Sequence, residues 1–398
     1  MTQQPAIAIR EVAEGVATWN PLRSPASDSF EYIDLGSVDQ NNKQIRQTTL
    51  TRCSEAPSRA RQLVKSADVL VATVRPNLNG VALVPDSLDG ATASTGFCVL
   101  RPLPEKIDNR YLFNWVKSPA FITDMVRKAT GASYPAVSDR IVLDSLIPFP
   151  PLPAQRRIAY ILDKADALRA QRRAALAELD SLTQSIFLTL FGDLVTNRKG
   201  WPETKTLGDV ADIASGITKG RLLKGQATRE VAYLAVSNVQ DKALSMGVVK
   251  TIAATEAEIT RFRLQKDDLL LTEGGDPDKL GRGTLWNGEL DECIHQNHVF
   301  RVRVTDKAVD PLFLNWLVGS RRGKQYFLRS AKQTTGIASI NMTQLRAFPL
   351  LLPPLKLQQD FARRITAIET LKSRHRSALA ELDTLFASLQ HRAFRGEL

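Results

Sequence analysis

The sequence is poor in the residues that build redox, disulfide and metal chemistry. Its 398 residues include three cysteines, Cys53, Cys98 and Cys293, and four histidines. The cysteines share no close spacing, which excludes a disulfide framework and fits a reducing compartment with each thiol buried as a small apolar side chain. No apolar run reaches the roughly 20 residues needed to cross a bilayer. The N-terminal MTQQPAIAIREVAEG lacks the basic-then-apolar pattern of a secretion signal. A soluble, cytoplasmic protein with no membrane partner is the expectation.

Catalytic signatures are missing as well. There is no GxxxxGK[ST] phosphate loop and no strand followed by GxGxxG. An amino-methyltransferase acting on DNA would carry Asn/Asp-Pro-Pro-aromatic, but Pro150-Pro151 follows Phe149 and Pro353-Pro354 follows Leu352. Cys293, His295 and His298 are the one cluster of ligand-type residues, in the strand-like CIHQNHVFRVRV. At i and i+3 in a strand the two histidines face opposite sides, so no metal site is expected there. Glu203-Thr204-Lys205 spells the ExK of many nucleases but has no Pro-Asp shortly before it, and reads as a surface turn after Trp201-Pro202. Glu273, Asp276 and Asp278 offer too few fixed oxygens from one loop for a cation. No catalytic residue, metal or cofactor is expected in this chain.

What is present is one unit written twice. Residues 150–182, PPLPAQRRIAYILDKADALRAQRRAALAELDSL, align without a gap on residues 353–385, PPLKLQQDFARRITAIETLKSRHRSALAELDTL, with ALAELD identical in both. Upstream the match weakens but keeps nearly the same offset: YIDLGSV from Tyr32 answers YLAVSNV from Tyr233, and Asn114-Trp115 answers Asn315-Trp316. The mixed part of each unit has short β-rich runs broken by Gly, Pro and Asn, as in DVLVATV before RPNLNG and DLLLT before EGGDPDKLGRG. Segments 111–128 and 312–332 read as helices beside those strands. The expected architecture is α/β (α+β) domains at 1–149 and 193–352, joined by long antiparallel coiled-coil helices at 150–192 and 353–398, a tandem repeat with pseudo-twofold symmetry.

The helical tails carry a three-four spacing. Positions 158, 161, 165, 168, 172, 175, 179, 182, 186 and 189 are apolar at eight of ten steps, and the equivalent positions from Phe361 at seven of ten, with Arg172 matching His375 as the interior polar step. A helix of ~35 residues is ~50 Å long and too one-sided to stand alone. Ile161, Leu168, Leu179 and Leu182, with Ile368, Leu371, Leu382 and Leu385, are the residues expected to hold the two helices together.

Positive charge is better organised than any catalytic set. Lys and Arg outnumber Asp and Glu 53 to 42, a formal charge of +11, and a polyanion is the partner such a surplus attracts. In RRGKQYFLRSAKQTTG, Arg321, Arg322, Lys324, Arg329 and Lys332 occur without an acidic residue and run into Thr334 and Thr335. The matching stretch of the first half leads through Arg127 and Lys128 to Ser133 and Tyr134. GITKGRLLKG places Lys219, Arg221 and Lys224 among glycines, where backbone amides can also meet a phosphate. The loop after the strand holds Arg75, Asn77 and Asn79 in one half and Lys279 and Arg282 in the other; Arg and Asn read guanine and adenine edges bidentately. Any one cluster alone could be a solvated face, but equivalent positions in both halves argue for a shared role.

This pattern closely resembles the specificity subunits of type I restriction-modification systems. The resemblance rests on PPLPAQRRI and PPLKLQQDF, with Gln155 and Gln358 near the start of each helical region, and on STGFCVLRP, NHVFRVRV, NWVKSPAF and TTGIASINMTQL in the mixed parts. It covers essentially the whole chain; Ala154 and Leu357 stand where the family often has Glu before the glutamine. The resemblance implies two target-recognition domains, each reading half of a split, asymmetric site in double-stranded DNA, with the helices setting the unread gap. It further implies two modification subunits, which bring S-adenosylmethionine and adenine methylation, and restriction subunits that add ATP- and Mg-dependent translocation and cleavage. Two other readings stay open: a solitary DNA-binding or scaffold protein of the same fold, and a methyltransferase or nuclease with diverged motifs.

Overall fold

The computed structural model describes residues 5–223, 225–276, 279–334 and 337–398. Two compact units are seen, Met1–Leu176 with Arg374–Leu398, and Ala177–Ser373. Each contains one α/β body and a stretch of both long helices, Leu152–Phe191 and Leu355–Ala393.

In the first unit a four-stranded sheet runs Ala13–Glu14, Phe97–Pro102, Val69–Ala72, Val81–Leu83, and a second runs Thr49–Arg52, Ser29–Ile33, Thr92–Ser94, Ala60–Leu63. Alternation is absent from VLVA at 69–72, in which three of the four residues are buried, because the strand lies between two apolar layers. The second unit repeats this order: Ala211–Ser215, Val299–Val304, Leu269–Thr272, Gly283–Leu285 in one sheet and Lys250–Ala254, Arg229–Leu234, Ile294–His295 in the other. Both keep a parallel strand pairing in a mainly antiparallel setting, Tyr32 with Thr92 and Tyr233 with Ile294, and the second adds a parallel bridge of Ile217 with Gln296.

Polar contacts are duplicated with the strands. Buried Asp68 receives both prongs of Arg101 at 3.0 and 2.7 Å, and buried Asp268 receives Arg303 at 2.7 and 2.7 Å. The residue before each aspartate, Ala67 or Asp267, is left-handed at φ 69° or 70°, so the carboxylate turns back to accept from the amide of Lys65 or Gln265. A buried carboxylate without such donors would cost several kcal/mol, and the fork of an arginine meets it in two places at once.

Each long helix starts after a proline pair, and its first turn holds a glutamine with no exposed surface. Gln155 Oε1 accepts from the Asp108 amide while Nε2 donates to the carbonyls of Pro150 and Lys106. Gln358 does the same with Asp310, Pro353 and Ala308. Asp108 and Asp310 in turn cap the helices Asn109–Val116 and Pro311–Val318, so one amide side chain ties the long helix to the α/β body. The first long helix ends where Gly192 takes φ 74° and its amide closes on Leu188, a turn that favours glycine.

Within each unit the two long-helix segments run antiparallel. In the first, Arg169 and Arg173 reach Asp383 at 2.6 and 3.3 Å, and Arg172 Nη1 donates to His375 Nδ1 at 3.2 Å. In the second, Lys372 reaches Asp180 at 2.6 Å, and Phe187 and Phe191 pack on Phe361 with ring centroids 5.4 and 5.3 Å apart. Asp180 and Asp383 are the last residues of the two ALAELD copies.

The buried stripe is displaced by one residue from the expected one. Leu168, Leu182, Leu371 and Leu385 are 50, 47, 42 and 50% exposed, while Arg169, Thr183, Lys372 and Phe386, each one step later, face inward. Ile368 is buried, and Ile161, Leu179 and Leu382 are half-buried. Counting apolar residues favoured the leucines; beside Leu168 and Leu371 the inward place goes to Arg169 and Lys372, whose stems pack inside while their charges meet Asp383 and Asp180, and beside Leu182 and Leu385 to Thr183 and Phe386. Burial works against the Lys372 charge, but hydrogen bonds to Asp180 and Glu369 win and raise its pKa.

Candidate nucleic-acid interface

Two of the charged segments singled out by sequence meet in each unit. In the first, Val74 bridges to Ala136, the Arg75 amide donates to the Pro135 carbonyl at 2.7 Å, and the Arg75 guanidinium lies 4.8 Å over the Tyr134 ring. Arg75 is left-handed at φ 52°, a conformation rare for arginine. Arg75, Asn77, Ser133 and Tyr134 are all exposed on this surface. In the second unit the corresponding strand end, Gly274–Gly275, pairs with Ile337–Ser339, which also pairs antiparallel with Lys332–Thr334. The first loop is closed by backbone and stacking, the second by a small three-stranded sheet, and both bring the post-strand loop against the segment that follows the basic helix.

Lys219 is exposed, its Nζ 5.5 Å from the Tyr233 ring centre, and its loop is held to the same surface because Ile217 exchanges backbone bonds with His295 and Asn297. Lys279 is exposed and pairs with Asp276. Arg321 sits apart, in a cleft of about 720 Å³ with Lys242, Trp316 and Lys324. Lys224 and Thr335, and the side chain of Thr334, lie outside the described residues.

Four expected contacts have partners inside the protein. Asn79 is a correction: it is 7% exposed, its Nδ2 donates to the Val116 carbonyl at 2.9 Å, and it closes a helix rather than facing solvent. Lys43 Nζ donates to the Asn79 carbonyl at 2.6 Å; burial, with Lys117 nearby, pushes that ammonium down to about 8. Arg221 grips both oxygens of Glu258, holding that carboxyl down at about 2. Arg322 binds Glu203 at 2.8 Å, and Arg282 donates to Gln240 at 3.0 Å. Polar spacing in a loop does not reveal which side chain turns inward to satisfy a carbonyl, and Asn79, left-handed at φ 46°, is one that does.

The residues weighed for catalysis are engaged in structural pairs. Glu203 binds Arg322, and Lys205 binds Asp306 at 2.6 Å. His295 is buried and His298 exposed, on opposite sides of the strand end. Burial pushes His295 down to about 4, its Nδ1 facing the Val299 carbonyl at 2.7 Å. All three cysteines are buried, which pushes the Cys98 and Cys293 thiols up, the latter to about 12. Among the described residues no group of three or more His, Cys, Asp or Glu could hold a metal ion, and no helix is long and apolar enough to cross a membrane.

Arg59 and His298 are exposed too and were not named for nucleic-acid contact, His298 having been weighed only as a metal ligand. Arg59 is exposed and its carbonyl accepts from Thr95 beside Gly96; the Ser-Arg-Ala-Arg run at 58–61 was the available signal. His298 adjoins Glu273, whose amide donates to the His298 carbonyl at 3.0 Å.

A duplicated α/β body that gathers exposed cations and aromatic groups on loops at its strand ends has the make-up of a protein that reads DNA sequence. The chain belongs to the type I restriction modification DNA specificity domain family, whose model matches residues 64–178 and 199–382, one segment in each half. It is 27% identical over 321 residues to the StySPI specificity subunit of Salmonella potsdam, covering 74% of this chain and 67% of that protein. Over 322 residues it is 25% identical to the EcoKI specificity subunit of Escherichia coli K12, covering 76% and 68%. Among solved structures, the S subunit of the M. genitalium type I system shares the fold with a TM-score of 0.59 at 13% identity, over 98% of this chain and 96% of that one. A chain of a type I system solved to explain its assembly and conformational transition gives 0.57 at 23%, over 100% and 99%. The DNA-target component of a type I restriction-modification enzyme is thus the role this chain fills.

Proposed function

We propose that this chain acts without catalysis of its own in the cytoplasm, reading a split, asymmetric target in double-stranded DNA with its two α/β bodies, the recognition domains being 1–149 and 193–352. The helical stretches 150–192 and 353–398 set the unread gap and receive two modification subunits. Restriction and translocase subunits join that complex. S-adenosylmethionine, ATP and Mg belong to these partners, which carry out methylation and cleavage where this chain has placed them.

The observation that carries the reading is the recurrence, in both units, of one surface made from the post-strand loop and the segment after the basic helix, with Arg75 and Tyr134 in one and the Gly274–Gly275 strand with Lys332 in the other. Duplicated surfaces of similar backbone and different side chains suit a two-part target whose halves differ. The exposed cations supply phosphate contacts and the left-handed loop presents Arg75 and Asn77 for base edges.

The test is to co-express the chain with its modification subunit and map methylated adenines across the host genome, with each subunit alone as control. A split motif with a fixed gap that needs both subunits is the expected result. Methylation by the partner alone, or none from a stable complex, overturns the reading.

A further inference from the structure

We propose that His298, oriented by Glu273, is a base-reading residue of the second unit with no equivalent in the first, and that it accepts a hydrogen bond from the exocyclic amine of an adenine or cytosine. The inference rests on the recognition role proposed above and deepens it. The strand partners align the two units here residue by residue: Thr92 and Ala93 pair with Tyr32 and Ile33 as Ile294 and His295 pair with Tyr233 and Leu234. Gly96 therefore answers His298. The same backbone hydrogen bond follows, Thr73 to Gly96 at 2.9 Å in the first unit and Glu273 to His298 at 3.0 Å in the second.

On that shared frame the side chains part. Thr73 is buried and spends its hydroxyl on the Gly96 carbonyl at 2.9 Å, so the first unit presents little here besides backbone. In the second unit the imidazole is 56% exposed, and its Nδ1 meets Glu273 Oε2 at 2.5 Å. A carboxylate only accepts, so Nδ1 carries the proton shared with Glu273, and the neutral ring in this tautomer keeps the Nε2 lone pair as an acceptor. Asn297 Nδ2 stands 3.4 Å from Nε2, a long contact on the exposed side that a base amine bonding to Nε2 displaces. The position is central: Glu273 leads into the Gly274–Gly275 strand paired with 337–339, and Asn297 bonds Ile217, two residues before exposed Lys219. A fixed acceptor amid phosphate-binding cations suits the amines that adenine and cytosine show in the major groove, which guanine and thymine lack.

The experiment compares methylation motifs of the co-expressed complex carrying wild-type chain, His298→Ala, His298→Arg, or the double change Glu273→Thr with His298→Gly that installs the first unit's pair. With His298→Ala and the double change, one adenine or cytosine position in one half of the motif should lose roughly ten-fold or more of its discrimination, the other half staying as it was. His298→Arg should move that position toward guanine. An unchanged motif in all three variants overturns the inference, as does equal weakening at every position. A wild-type complex that yields no split motif removes the recognition role itself, and the inference with it.

Discussion

The first unit closes its helix-facing core with Tyr111, Trp115 and Phe394, whereas the second packs Phe187, Phe191, Phe313, Trp316 and Phe361 into one aromatic cluster. Across the same two regions the glutamine latch, the aspartate-arginine fork and the left-handed residue before it are repeated nearly atom for atom. Hydrogen bonds fix both distance and direction, so a duplicated backbone keeps its polar partners. Apolar filling is non-directional and tolerates exchange so long as volume is conserved. The proposed reader separates from both: at Thr73-Gly96 against Glu273-His298 the backbone hydrogen bond is shared while the side chains differ.

The largest expected break comes from removing a feature both units share. Gln155→Ala leaves an amide and two carbonyls without their partner and should lower unfolding stability by roughly 3 kcal/mol or more, with Gln358→Ala costing about the same, by urea denaturation. A large difference between the two would show that the latch is not equally important in each unit.

Next comes a feature of one unit only. His295 occupies the place of Ala93, and burial holds it near 4 against an ordinary value of 6.5. The unfolded chain takes up this proton first, so stability should fall as pH drops from 6.5 toward 4, by up to about 3 kcal/mol, and be unaffected by this group above that window. Melting temperatures at pH 7 and pH 5 should converge in His295→Leu relative to wild type; an unaltered gap would assign the acid sensitivity elsewhere.

A smaller effect is expected at the proposed DNA surface. Arg75→Ala should weaken binding by ~1–3 kcal/mol and relax one base position if the guanidinium reads a base, or lower all sequences and the salt slope by about one if it meets phosphate. Binding isotherms of the complex at several salt concentrations separate the two. The smallest effects belong to the outward leucines. Leu168→Ser and Leu371→Ser should each lower the stability of the isolated chain by only about 1 kcal/mol, since about half of each side chain is already in water. A loss several times larger would restore them to the helix seam.

Much of this was legible in the sequence because repetition is a linear signal. ALAELD and the PPL steps gave away the two helical tails, and the paired aspartates at 180 and 383 proved to be the ones that meet Lys372, Arg169 and Arg173. The phase of the buried stripe was not legible: one step along the helix turns a side chain by about 100°, and Arg169, which pairs across the seam, takes the inward place instead of the leucine before it. At the site, Arg75 and Tyr134 were named separately for charge and aromaticity, and their stacking could not be read from residues 59 positions apart. Asn79 looked like a base reader because its type was right, and burial decided otherwise.

By itself the sequence determined the duplication, the alternation of α/β bodies with long helices, and the family, since all three are written in order, period and motif along the chain. Only the tertiary structure decided which polar side chains are spent on carbonyls and carboxylates within the protein and which remain for a partner. The reason is that burial and hydrogen-bond direction depend on neighbours brought in from distant parts of the chain, and no spacing in the sequence specifies them.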